Sequence, residues 1–570
     1  MTDPKADKIT AGGAILARLK AVGVDYIFAN SGTDFPPIIE GLAEASAKQI
    51  PLPKAIVIPH ENAAMGMAYG YYLATGKAQA VMAHTNVGLA NCAIGAINAA
   101  TEHIPMLIFS GRTPVVEKGR LGARTVPISW GQEMRDQAAM IRETVKWDYE
   151  LKFPEQAVDI IDRAHAIANS TPPGPVYLSL PREVLCEQCP SDELDNPSRI
   201  APAISAPRSA DIETAAKLLS EAKRPLIISQ RGAGSEEGFE TLSKLALDWG
   251  IPVCQYWAIQ LGVPTDHPMA VGVDPAKWLA EADLVLVIDC LAPWSPDIHT
   301  PGEGCKVVHI GPDPLYARFP VRNFPSDLAL TGDTAEVILQ LEKAAATYLD
   351  ATASERDARR ASVEKASVKR RNELLAQAEA GNGELMTKAF VSLTLSKVIE
   401  GRKATVLSEL GAPLEPLTLH DHGSWYQEPH SGGLGWSFPT GLGMKLADPD
   451  RLVIATMGDG SYMFSNPVAC HQIAEAMEIP LLVLVLNNVE WGAVRQSVLG
   501  VYPDGFAAKT NTMPLVSLAP TPDFTQVAAA SRAWTAKVER AEELGAVLQA
   551  AIEHVMVRKT QALVEIRIAP

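Results

Sequence analysis

The stretch MGDGSYMFSNPVACHQIAEAMEIPLLVLVLNNVEWG, residues 457–492, decides the fold. The apolar run Leu452-Val453-Ile454-Ala455-Thr456 enters it and reads as a buried strand. Gly458-Asp459-Gly460-Ser461 follows, then a helix-length segment, then a second apolar strand from Leu481 to Leu486 ending in Asn487-Asn488. Two apolar strands bracketing a helix make one βαβ unit, which implies a parallel sheet. In such sheets ligands bind in the crevice at the C-terminal ends of the strands. Asp459 and Asn488 both sit at those ends. Hard oxygen donors suit a small divalent cation, and the free N–H groups of a Gly-rich turn at a helix start suit a phosphate.

Outward from this unit, strands separated by helical patterns recur along the chain. The first block carries VDYIFA, KAIVIP, AQAVMAH, PMLIFSG and GPVYLSLP; the second carries RPLIISQ, IPVCQYW, DLVLVID and KVVHIG. The third adds ATVLSELG and QALVEIRIA to the two strands already named. The pattern predicts an α/β protein of three doubly wound parallel-sheet domains, spanning 1–190, 205–345 and 375–570. A Pro-, Ser- and Asp-rich linker separates the first two. The charged stretch from Ala353 to Gly381 mixes acids with bases and reads as a solvated helical connector rather than a nucleic-acid arm.

Composition narrows the class. The 570 residues are 47% apolar and 20% charged, with a net charge of −16. That charge argues against nucleic-acid or membrane-surface partners. No apolar run approaches the roughly 18 residues that cross a bilayer, and the first residues, MTDPKADKIT, have no signal-peptide core. Seven cysteines make no paired framework. Cys186 and Cys189 form a lone CxxC without a second pair or a nearby histidine, so they are expected as free thiols in a reducing cytoplasm.

GDGS, an intervening helix and NN after an apolar strand resemble the thiamine diphosphate (ThDP) motif. Other segments extend the resemblance over nearly the whole chain: Ala29-Asn30-Ser31-Gly32-Thr33-Asp34, Pro59-His60-Glu61-Asn62-Ala63-Ala64, Gly174 to Pro181, and Gly432-Gly433-Leu434-Gly435 ahead of Phe438-Pro439. The chain is similar to ThDP-dependent enzymes of the acetolactate synthase, benzoylformate decarboxylase and pyruvate decarboxylase group. This implies an N-terminal pyrimidine-binding, a central and a C-terminal diphosphate-binding domain, with ThDP and Mg²⁺ as cofactors. It also implies a homodimer or homotetramer whose active sites lie between subunits.

The resemblance assigns roles residue by residue. Glu61 is the carboxyl that bonds the cofactor's pyrimidine and lets the 4′-amine act as internal base; a Glu opening a helix also has a merely structural reading, worth tenths of a kcal/mol. Asp459, Asn488 and the backbone oxygen of Glu490 are the metal ligands, and Gly458, Gly460 and Ser461 line the diphosphate. Leu434 is the wedge that bends the cofactor, and the Gly432 carbonyl accepts from its amine. The span from Asp459 to Asn488 is about two residues longer than in close relatives, with the excess expected near Ser465 to Val468.

In the substrate pocket, Thr33 matches a hydroxyl-bearing position of benzoylformate decarboxylase, and His84 matches a histidine of that enzyme, with a loop histidine as its structural reading. A second histidine of that enzyme has no match, Pro296 standing there with His299 three residues on. The His-His pair of pyruvate decarboxylase is absent. Gln132 resembles the pocket glutamine of acetolactate synthases. The expectation is decarboxylation of a 2-oxo acid followed by carboligation to an acceptor. The alternatives are simple decarboxylation releasing an aldehyde, and a catalytically silent homologue used as a binding subunit. Arg231-Gly232-Ala233-Gly234 could cradle a nucleotide, but the Gly-Met-His-Gly run of flavin-containing relatives is missing, so FAD is an option the sequence disfavours.

Overall fold

Parallel strand pairs build three six-stranded sheets in the computed structural model, which describes residues 8–191 and 194–569. The first sheet runs Lys54–Val57, Tyr26–Ala29, Ala80–Ala83, Met106–Arg112, Pro175–Pro181 and Asp148–Glu150 in spatial order. The second runs Ala270–Gly272, Val253–Cys254, Pro225–Ser229, Leu284–Ile288, Lys306–Gly311 and Leu328–Thr331. The third runs Trp425–Gln427, Ala404–Glu409, Leu452–Gly458, Leu482–Asn487, Ala562–Arg567 and Trp534–Val538. Helices on both faces exclude water from the interior strands. This is why Leu482–Asn487 and Met106–Arg112 are buried at every position and open on apolar runs, LVLVL and MLIF. The expected class, three α/β domains, is the observed one. A further two-stranded antiparallel pair, Lys8–Thr10 with Gln188–Pro190, joins the ends of the first block, and all seven cysteines are free.

Contacts divide the chain into two compact units. One holds residues 1–203 with two inserted pieces, 429–449 and 464–479. In it, helix Glu61–Thr75 crosses helix Ser437–Ala447 at close range. A Cβ on Gly70 would lie 1.9 Å from the Thr440 carbonyl oxygen, and one on Gly443 would lie 2.0 Å from that of Met67. These glycines are therefore fixed by backbone approach.

The other unit holds the second and third sheets. The charged stretch is the single helix Ala353–Glu379, as its mixed charge suggested. Its arginines do structural work: Arg356 lies over the Trp249 ring, and Arg359 donates to the Trp249 and Gly250 carbonyls. In the second sheet, Gly232 and Gly234 have positive φ. Added Cβ atoms there would meet the Leu261 oxygen at 2.7 Å and the Ala335 nitrogen at 2.8 Å. Arg231 faces Tyr316 and lies 3.7 Å from Asp289. Close packing within the protein thus gives these glycines a reason that needs no nucleotide.

Gly70→Ala should lower stability by about 1–3 kcal/mol through overpacking, while Gly131→Ala, whose Cβ meets nothing within 4 Å, should be near neutral. Urea melts of the two variants beside the wild type check this; equal midpoints would refute the close crossing.

Candidate functional site

The third sheet places the two turns of the opening motif side by side, because Gly458 pairs in register with Leu486. Asp459 starts a short helix, Asp459–Phe464, immediately where the strand ends. Its carboxylate is 1% exposed as a residue, and Oδ1 accepts from the Gly460 N–H at 3.0 Å. Among the described residues no hydrogen-bond partner reaches the buried Oδ2, although the backbone N–H groups of Gly460 and Val489 and the charge of Lys388 favour the ionised carboxyl. Burial pushes the Asp459 carboxyl above its ordinary range. A buried charged oxygen without a partner is costly, and an oxygen-seeking cation is the partner that chemistry would supply. Asn488 is buried at the neighbouring turn, and its Oδ1 accepts from the Glu490 N–H at 3.2 Å.

Glu490 turns its side chain away, into a two-point pair with Arg495 at 2.5 and 2.8 Å that holds its carboxyl below the ordinary range. Its carbonyl accepts from Gly492 at 2.9 Å and keeps a second lone pair. Asn487 instead braces the turn, accepting from Val489 N–H at 3.0 Å and donating to Glu565 at 2.8 Å. One Asp, one Asn and one carbonyl therefore fit a magnesium-type site. Among the described residues there is no cluster of three or more His, Cys, Asp or Glu to compete for a metal.

The glycines of this turn differ. Gly460 is required by the protein, since its Cβ would meet the Trp491 ring at 2.2 Å. At Gly458 the nearest atom, the Leu410 oxygen, would be 3.9 Å away. Protein packing leaves that stretch of backbone open to a ligand. Ser461 is buried beside it. The helix breaks at Asn466, whose backbone is left-handed, and resumes as Pro467–Ala476.

The other unit carries the remaining candidates. Glu61 opens its helix behind the cap His60, is 5% exposed, and accepts at Oε2 from the Asn91 amide at 2.9 Å. Gly88 admits it, since a Cβ there would lie 2.8 Å from Oε1. The glycine loop approaches helix Thr85–Thr101: Asn98 donates to the Gly433 carbonyl at 2.9 Å and accepts from Ser431 at 2.6 Å. Gly432 and Gly435 have φ of 67° and 84°, a region open to glycine. Leu434 is part-exposed at the centre of this loop.

His84, Gln132 and Asp34 form one chain of contacts. His84 Nδ1 and Asp34 Oδ1 are 2.5 Å apart, and the Gln132 amide is 3.0 Å from Nε2. With Nδ1–H donating to Asp34, Nε2 accepts from Gln132. The hydrogen bond to Asp34 raises the His84 pKa, against the effect of burial, and the charges of Asp34 and Glu61 add to it. Space for the chain comes from two glycines: a Cβ on Gly111 would overlap Asp34 Oδ2 at 1.5 Å, and one on Gly32 would meet the His84 ring at 2.2 Å. Thr33 is exposed, its carbonyl held by Arg182 at 3.1 Å. Asp34, Asn91 and Asn98 were not singled out from the sequence. Asp34 stood within a segment already aligned by resemblance, and its place next to Thr33 was the available signal.

Comparison with known proteins follows these contours. Models of thiamine pyrophosphate enzymes match in three parts: the N-terminal TPP binding domain over residues 9–140, the central domain over 212–341 and the C-terminal TPP binding domain over 414–565. The chain is 28% identical over 510 residues to a probable 2-ketoarginine decarboxylase of Pseudomonas aeruginosa, covering 86% of this chain and 84% of that one. It is 24% identical to a probable acetolactate synthase large subunit of Methanococcus aeolicus, covering 95% and 89%. The solved 4-hydroxybenzoylformate decarboxylase of Rhodococcus jostii RHA1 superposes with a TM-score of 0.78 at 22% identity, covering 98% and 99%.

Asp34→Asn should lower the His84 pKa, because the carboxylate that stabilises the imidazolium is gone. Titration of the His84 ring by NMR reads this directly; an unmoved midpoint would show that the short contact carries no charge stabilisation.

Proposed function

We propose, for a chain that belongs to the thiamine pyrophosphate enzyme family, a ThDP- and Mg²⁺-dependent decarboxylation of a 2-oxo acid. The observation that carries it is the buried, unpartnered Asp459 Oδ2 at the open Gly458 backbone. Asp459, Asn488 and the Glu490 carbonyl would hold the cation, and Gly458, Gly460 and Ser461 the diphosphate. Held there, ThDP would supply a nucleophilic carbon and a positively charged ring as electron sink for decarboxylation. Glu61 holds the proton that its pyrimidine needs, kept in place by Asn91. Leu434 and the Gly432 carbonyl would contact the cofactor between its two ends. A catalytically silent homologue would have had no reason to keep this set.

The fate of the product turns on His84. Asp34 fixes the ring and raises its pKa, and a proton taken up at Nε2 in place of the Gln132 hydrogen bond would make it a general acid. This favours protonation and release of an aldehyde, with Thr33 addressing the substrate carboxylate. Gln132, whose resemblance pointed to carboligation, spends its amide on His84. Carboligation stays the second reading because Gln132 is part-exposed and an acceptor could displace that bond. Incubation of the holoenzyme with a panel of 2-oxo acids, with and without aldehyde acceptors, separates the two by product. Failure to release CO₂ from any of them would defeat both.

The assembly is read as a homodimer or homotetramer with sites between subunits, as the family resemblance implied. Among the described residues no helix is long and apolar enough to cross a membrane. Free cysteines favour a cytoplasmic setting.

Glu61→Gln should keep ThDP bound and lose turnover, since the amide preserves shape but holds no transferable proton. A residual rate above about a tenth of wild type, a loss under roughly 1.4 kcal/mol, would remove Glu61 from the chemistry. Calorimetric ThDP affinity measured alongside excludes a mere binding defect.

A further inference from the structure

His84 leaves its strand beside the strand that ends in Arg112, because Ala83 pairs in register with Ser110. The segment that follows Arg112 runs out and returns to lay Gln132 against His84. Its own apolar side chains do not hold it there. Val115, Leu121, Val126, Ile128 and Trp130 are all exposed, and the one helical turn before Gln132, Ile128–Gly131, buries only Ser129. Anchors of another kind set where Gln132 stands.

Those anchors are charged, and they grip the residues directly after Gln132. Glu133 accepts from Arg112 Nη1 at 2.6 Å and from the Thr113 hydroxyl at 3.2 Å. Arg112 Nη2 donates to the Met134 carbonyl at 2.9 Å. Its Nε donates at 3.0 Å to Glu150, on the edge strand Asp148–Glu150. Arg124 ties the start of the segment to its end: it pairs with Glu133, donates to the Pro114 carbonyl at 2.6 Å and lies over the Trp130 ring. Arg112 and Thr113 are buried, which shields this pairing from water on one side. A carboxylate held by two guanidinium groups through both of its oxygens is fixed in direction as well as in distance.

We propose that Arg112, Glu133 and Arg124 clamp Gln132 onto His84 Nε2, and that these three are positioning residues which keep that nitrogen unprotonated until the amide is displaced. The Gln132 amide N–H donates to a nitrogen that carries no proton, so the bond favours the neutral ring. Asp34, through its hydrogen bond, and Glu61, through its charge, face the ring from the elements packed against it and favour the protonated form. The clamp opposes them, and its release lets Nε2 take up the proton that a general acid needs. The catalytic meaning of this rests on the reading of His84 given above; the clamp itself does not.

The test is the titration of the His84 ring by NMR in the full chain without substrate, with a melting curve for every variant. Gln132→Leu removes the bond and should raise the midpoint by about 0.4–1 pH unit, the worth of one hydrogen bond. Glu133→Ala, Arg124→Ala and Arg112→Lys each keep Gln132. In a Gln132→Leu background they report only the change in their own charge: a fall for Glu133→Ala, a rise for Arg124→Ala and little for Arg112→Lys. With Gln132 present, each should lie above that reference by most of the Gln132→Leu rise. A merely structural role would lower the melting point and leave the two backgrounds alike. Equal shifts in the two backgrounds overturn the proposal, as does a midpoint that Gln132→Leu leaves in place. Glu133 is exposed, so its variant carries the test where Arg112→Lys fails to fold. If the midpoints move as described and no 2-oxo acid is turned over, the clamp stands and the decarboxylase reading falls.

Discussion

One buried oxygen organises the functional half of this protein. Asp459 is delivered by an interior parallel strand into the protein's interior, and among the described residues its Oδ2 has no hydrogen-bond donor. The turn around it is otherwise complete: Gly460 supplies its N–H to Oδ1, Asn487 braces the neighbouring loop, and Arg495 draws the Glu490 carboxylate aside. A fold that satisfies these partners and leaves one carboxylate oxygen bare is arranged for a charge from outside the chain. The cofactor reading rests on that oxygen together with Asn488 and the Glu490 carbonyl at the neighbouring turn.

The other unit uses a complementary device, the deletion of side chains. Asp34 and His84 can meet because Gly111 and Gly32 leave room, and Glu61 can tuck beside its helix because Gly88 does. The same holds at Gly433, where a Cβ would lie 2.3 Å from Asn98 Oδ1. Polar groups are thereby held by neighbours at fixed distances before substrate arrives, which lowers the reorganisation the chemistry would otherwise need.

How much of this was legible in the sequence follows from the physics of parallel sheets. Interior strands such as Leu284–Ile288 and Leu452–Gly458 are covered on both faces, so they read as apolar runs and were anticipated. The strands that escaped, Asp148–Glu150, Ala270–Gly272, Leu328–Thr331, Trp425–Gln427 and Trp534–Val538, are all sheet edges. An edge is shorter or half-solvated, and its composition carries no such signature. Among the proposed site residues, those inside contiguous motifs could be singled out from the sequence: Asp459, Asn488, Glu61 and the Gly432 loop. The residues that complete them could not. Asp34 and Asn91 act through contacts 50 and 30 positions away along the chain. Pairing over such separations is set by strand order and register, which a single sequence does not encode locally.

The measurement closest to the centre of this account is the melting temperature of wild type and Asp459→Asn, each with and without ThDP plus Mg²⁺. A ligand that binds only the folded state raises stability by mass action. The account predicts a clear rise for wild type that requires both components, no rise for Asp459→Asn, and an apo variant at least as stable as the apo wild type, since a buried charge has been removed. Equal ligand-induced rises in the two proteins, or a full rise with ThDP when divalent cations are chelated, would contradict it.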